Sequence, residues 1–102
     1  MKKPSECDSI EDVREAIDDI DREIIDALGR RFQYVKAITR FKKTEAEVRA
    51  TDRYNAVLRA RRQWAADAGI DPEVVEQMYR ALIAYFIDEE MKALGLVDAN
   101  HP

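Results

Sequence analysis

The sequence has one cysteine, one histidine, three glycines and three prolines in 102 residues. Each scarcity excludes something. A single thiol, Cys7, cannot close an internal disulfide, so no covalent staple holds the chain. The one histidine, His101, stands near the C-terminus, which leaves no Ser-His-Asp or Cys-His nucleophile system to read. There is no His/Cys cluster for zinc, no calcium-loop spacing and no Gly-rich phosphate loop. No apolar run approaches the ~18 residues of a membrane span. The start, Met1-Lys2-Lys3-Pro4-Ser5-Glu6, leads into acidic residues, which predicts no secretory leader and a cytoplasmic location. A net charge of −4, from 17 basic and 21 acidic residues, gives no global attraction for nucleic acid or anionic membranes.

What is present is helical. The chain is 46% apolar and 37% charged, which predicts one folded domain over residues 1–102 that buries roughly two-thirds of its unfolded surface. Between the scattered glycines and prolines lie stretches rich in Ala, Glu, Arg, Leu, Asp and Ile, without strand-like alternation. The pattern predicts an all-α fold of three helices. The first starts near Ser9, which with Asp12 has the form of a capping box. Its apolar residues recur at spacings of three and four: Ile10, Val13, Ile17, Ile20, Ile24 and Ala27, then Tyr34, Ile38 and Phe41. No strong stop comes before Lys42, so this helix is about 33 residues and about 50 Å long. A compact 100-residue domain has a radius of gyration of only about 13 Å. Much of the stripe therefore overhangs any core that one chain can build. That predicts an intertwined homodimer with its long helices antiparallel.

Residues 43–50 are polar and read as a loop. The second helix runs from a Thr51 N-cap to Ala68, with Gly69 as its left-handed terminal residue. Its apolar side holds Tyr54, Val57, Leu58, Trp64, Ala65 and Ala68. The third opens with Asp71-Pro72-Glu73, in the order cap, proline, acid, and stops at Gly95. Residues 1–8 and 96–102 read as tails.

The polar residues that break the apolar stripes are the candidates for chemistry. Continuing the first stripe by four lands on Arg31, and a cation on a core seam is costly unless an anion meets it. Val35, Ile38 and Lys42 come at +4, +7 and +11, so the wheel puts Arg31 and Lys42 on one face, able to clamp a small dicarboxylate. The plain alternative is that Arg31 pairs with an internal acid and Lys42 is solvated. Arg14 lies about 25 Å from Arg31 along the same rod. It reaches that site only from a second, antiparallel chain, or else it pairs with Asp18. Glu90 falls between Ile87 and Leu94 on the third stripe. Burial there would favour its neutral, hydrogen-bond-donating form; otherwise it sits at the stripe's edge, reaching water or an arginine. Arg53, one turn into the second helix, could close over an anion or be solvated. Arg59, Arg61 and Arg62 read as solvated.

These residues bring a family into view. Ile10-Glu11-Asp12-Val13-Arg14-Glu15-Ala16-Ile17-Asp18, Asp21, Ala27-Leu28-Gly29-Arg30-Arg31, Tyr34-Val35-Lys36-Ala37, Arg40-Phe41-Lys42, Asp52-Arg53 and Ile87-Asp88-Glu89-Glu90 span nearly the whole chain. In these stretches the sequence resembles the all-helical chorismate mutases, and within them the isochorismate-pyruvate lyases of salicylate and siderophore biosynthesis. The resemblance implies an intertwined dimer with two equivalent sites, each using both subunits, and no metal or cofactor. Arg31 would bind one substrate carboxylate and the partner's Arg14 the other. Lys42 would approach the breaking ether oxygen, and Glu90 would face it from the opposite side. Arg53 would support the carboxylate side. Val35, Ile38, Val57, Phe86 and Ile87 would line the pocket. Tyr54 stands where the mutases carry a glutamate, and Phe86 where they often place a small hydroxyl residue; both changes are lyase-like. Glu90 stands where the lyases usually have glutamine.

Three other functions compete with that lyase. One is a dedicated chorismate mutase. A second is a non-enzymatic helical dimerisation module, in which Arg31 and Lys42 bind nothing. A third is nucleic-acid binding through the basic run of residues 30–43, set against the negative net charge and the lack of a helix-turn-helix or aromatic platform. The expected partners are thus a small dicarboxylate and a second copy of the chain, with no nucleic acid and no membrane.

Overall fold

A computed structural model describes residues 2–96. It is all-helical, with three main helices and no strand among the described residues. His101 and all of the expected 96–102 tail except Leu96 lie outside them. The chain divides into two units, Met1–Tyr34 and Val35–Pro102.

The first unit holds a 3-10 turn, Pro4–Glu6, and most of α1 (Ile10–Ile38). The expected cap forms: the Asp12 N–H donates to the Ser9 hydroxyl at 3.1 Å. The Asp12 carboxylate reaches further back than a capping box requires. It accepts from the Asp8 N–H at 3.0 Å and from the Lys2 ammonium at 3.1 Å. Those bonds hold the Asp12 carboxyl below its usual range, the Asp8 N–H contributing most and Lys2 next. Lys2 and Asp8, within the expected 1–8 tail, are thus bonded to the helix start. No residue of α1 is buried in the single chain. Its stripe of Ile10, Val13, Ile17, Ile20 and Ile24 is 42–57% exposed.

The second unit contains the end of α1, a 3-10 turn over Thr39–Phe41, α2 (Glu45–Arg49), α3 (Thr51–Asp67) and α4 (Pro72–Ala93). The α-helix thus stops at Ile38, short of the expected Phe41. Two side chains tighten its end by bonding to carbonyls that an α-helix would use. The Thr39 hydroxyl donates to the Lys36 carbonyl at 2.6 Å, and the Arg40 Nε to the Ala37 carbonyl at 3.3 Å. The 43–50 loop also needs correction, because it contains α2. Thr51 is not a cap either: Ala50 holds that place, at φ 41° and ψ 60°, and Thr51 is the first residue of α3.

α3 and α4 pack against each other across a turn in which Gly69 takes φ 77°, as its place at a helix end requires. Asp71 caps α4 by accepting from the Glu73 N–H at 2.9 Å. The core is Val48, Val57, Leu58, Ala65, Phe86 and Met91. Trp64, expected on the apolar side, is 57% exposed. Arg61 and Arg62 are not simply solvated. The Arg61 guanidinium lies 4.5 Å from the Trp64 ring and 5.6 Å from the Tyr79 ring. Arg62 bonds to Glu73 at 2.7 Å and Glu76 at 3.5 Å, tying α3 to α4. Among the described residues, no helix is long and apolar enough to cross a membrane.

Candidate active site

Lys42 succeeds the 3-10 turn in extended conformation, at φ −122° and ψ 139°. It is not on the helix, so the wheel that put it on one face with Arg31 does not apply. Its side chain instead turns toward α4. The Nζ donates to Glu90 Oε1 at 3.1 Å and makes a longer contact, 3.5 Å, with the Val48 carbonyl. The Lys42 side chain is 16% exposed and that of Glu90 7%.

Glu90 is therefore buried, as one reading of the stripe required, and its partner is a lysine where the alternative supposed an arginine or water. Burying two charges costs each its hydration, and the close ion pair offsets that loss. Phe86 lies one turn before Glu90 on α4 and is buried. Val57, on α3, is buried too. Val35 and Ile87 are half-buried, Ile38 is 43% exposed, and Arg53 is exposed. A cation–carboxylate pair and several apolar side chains thus belong to one unit. Arg31, half-buried, and Arg14, exposed, lie on α1 within the other unit.

A groove of about 500 Å³ opens on the second unit, lined by Arg49, Tyr54, Asn55, Arg80, Ile87 and Met91 among others. Of the expected site residues it takes in Ile87 alone; neither Lys42 nor Glu90 lines it. Tyr54 is fixed there by Arg80, whose Nη1 donates to the phenol oxygen at 3.0 Å. Arg80 is itself held by Glu76 at 3.3 Å, and Glu76 also bonds Arg62. Among the described residues no group of three or more His, Cys, Asp or Glu is placed to hold a metal.

Sequence reading missed Val48 as a neighbour of Lys42. Val48 is 2% exposed, and its backbone carbonyl is the second acceptor for the ammonium. A signal existed, since Thr44 and Glu47 have capping-box spacing and foretell a helical turn there.

A long helix succeeded by two packed ones, with a part-buried ion pair joining Lys42 to Glu90 on α4, defines a class. The model of the chorismate mutase type II family matches residues 13–91, and the chain belongs to that family. It is 46% identical over 92 residues to the isochorismate pyruvate lyase of Pseudomonas aeruginosa, covering 90% of this chain and 91% of that protein. It is also 32% identical over 74 residues to the T-protein of Haemophilus influenzae, covering 72% of this chain and 20% of that longer protein.

Proposed function

We propose that the protein is an isochorismate-pyruvate lyase, converting isochorismate to salicylate and pyruvate, with a weaker chorismate mutase activity. The ion pair between half-buried Lys42 and buried Glu90 carries this reading. Nearly full-length similarity to a lyase of that name supports the choice of substrate.

The chemistry needs little from the protein beyond placement and charge. Isochorismate bears two carboxylates and an enolpyruvyl ether. Going to salicylate and pyruvate, the ring C–O bond breaks and one ring hydrogen passes to the side chain's methylene carbon. A concerted pericyclic step does this with no nucleophile. The enzyme must fold the side chain over the ring and stabilise the charge that grows on the ether oxygen. Arg31 holds one carboxylate and the partner subunit's Arg14 the other, while Arg53 supports the carboxylate side. Val35, Ile38, Val57, Phe86 and Ile87 shape the apolar wall.

The ether oxygen enters between Lys42 and Glu90. A lysine ammonium has three donors, so Lys42 keeps the Val48 carbonyl and turns another N–H to the oxygen. Glu90 faces the oxygen from the other side. The second copy of the chain covers the α1 stripe, which is too apolar to remain in water.

The test is incubation of the purified protein with isochorismate and, separately, with chorismate, with identification of the products. The expected result is salicylate and pyruvate, formed faster than prephenate. Faster chorismate turnover makes the protein a dedicated mutase. No turnover of either substrate leaves the dimerisation module.

A further inference from the structure

Glu47 has no part in the Lys42–Glu90 pair or the carboxylate-binding arginines, yet its Oε1 accepts three hydrogen bonds. They come from the Lys43 N–H at 3.1 Å, the Thr44 N–H at 3.2 Å and the Thr44 hydroxyl at 3.2 Å. In return the Glu47 N–H donates to Thr44 Oγ1 at 3.1 Å. The Val48 N–H donates to the Thr44 carbonyl at 3.0 Å, and the Ala50 N–H to that of Ala46 at 2.9 Å. This closed cap begins at the residue after Lys42 and folds a polar stretch into α2.

The turn bears on Lys42 through Val48, the residue next to Glu47. Val48 packs its side chain into the core and leaves its carbonyl 3.5 Å from the Lys42 Nζ. Ala50, at φ 41°, is in a left-handed conformation that an alanine keeps only when its surroundings impose it. The carbonyl is thus fixed from both sides, by the cap before it and by the turn after it. Lys42 is a long side chain with many rotamers and a point charge at its tip. Its two acceptors belong to different elements, Glu90 on α4 and Val48 on α2. Once the ether oxygen displaces Glu90, the Val48 carbonyl is what keeps the ammonium aimed.

We propose that Glu47 is a positioning residue for Lys42: by closing the cap of α2 it fixes the backbone carbonyl that holds the ammonium. The kinetic consequence rests on the catalytic role proposed for Lys42; the structural one does not.

Two measurements on the full chain separate them. The first is the labelling rate of Lys42 by an amine-selective reagent, read by mass spectrometry against Lys2 and Lys92. Glu47→Ala is expected to raise the Lys42 rate several-fold. Glu47→Gln, whose amide oxygen still accepts from the two backbone N–H groups, stays close to wild type. The second is steady-state turnover of isochorismate. Glu47→Ala is expected to lower kcat several-fold with little change in KM, because the lost aim matters most when charge develops on the ether oxygen. Glu47→Gln recovers most of that loss. Thr44→Val, which removes the hydroxyl half of the cap, moves both readouts the same way and serves if Glu47→Ala does not fold. An unchanged Lys42 labelling rate in a folded variant overturns the proposal, whatever the protein's substrate. Faster labelling with unchanged kcat overturns its catalytic half. A wild-type protein inert toward isochorismate overturns the lyase reading instead, and labelling still decides the role of Glu47.

Discussion

The ammonium of Lys42 and the carboxylate of Glu90 meet at 3.1 Å although 48 positions separate them in sequence. Each partner keeps the other tolerable in a spot poor in water, so a change at one is felt at both. Lys42→Ala is expected to lower isochorismate turnover about 10²–10³-fold, the usual loss when a donor aimed at developing charge is removed. Salicylate fluorescence reports the rate directly. Turnover near the wild-type level contradicts the role given to Lys42.

Replacing Glu90 separates shape from charge. Glu90→Gln keeps the size of the side chain and a group able to donate to the ether oxygen. Glu90→Leu keeps the size alone and strands the Lys42 ammonium. The glutamine variant is expected to retain much more activity than the leucine variant and to melt at a higher temperature. Equal activity in the two removes Glu90 from the chemistry.

The start of α1 is sensitive to acid. The Asp12 carboxyl is held below its ordinary value of 3.8, chiefly by the Asp8 N–H and then by Lys2. A depressed folded-state value stabilises the protein above the ordinary value, and that stability is lost as pH falls through the folded-state value. Asp12→Asn should therefore lower the melting temperature at neutral pH, by a margin that shrinks in acid. A margin constant from neutral to strongly acidic pH contradicts the arrangement. Ser9→Ala removes the other half of this cap and is expected to cost about 1 kcal/mol.

The core of the second unit rests on few residues. Leu58 is 4% exposed, and Leu58→Ala is expected to destabilise by about 2–5 kcal/mol. Calorimetry or circular dichroism would register a fall in Tm of at least about 8 °C. Trp64→Ala, at an exposed position, should cost much less. A reversal of that order would show that Leu58 is not a core residue.

Some helix ends are legible in the sequence and others are not. Asp71-Pro72, Gly69 and Ser9 with Asp12 announce termini through local chemistry, and each does so in the structure. The stop after Ile38 was not legible, because apolar spacing continues to Phe41 while Thr39 and Arg40 divert the carbonyls. α2 escaped for the opposite reason. Five residues carry no apolar period, and only the Thr44–Glu47 cap marks them. The left-handed Ala50 was hidden, since that conformation is usually advertised by glycine. Among the candidate site residues, Glu90 was visible as a carboxylate on an apolar stripe. Its partner was not, because a contact between a post-helical lysine and α4 depends on tertiary packing and not on helical period.

The central claim is that each site is built by two copies of the chain. Mixing Arg14→Ala protein with Arg31→Ala protein tests it most directly. Each variant alone has no intact site. After unfolding and co-refolding in equal amounts, half the dimers are mixed, and each mixed dimer regains one site with both arginines, so about one quarter of wild-type activity should return. Activity that stays at the level of the separate variants contradicts a site shared between subunits.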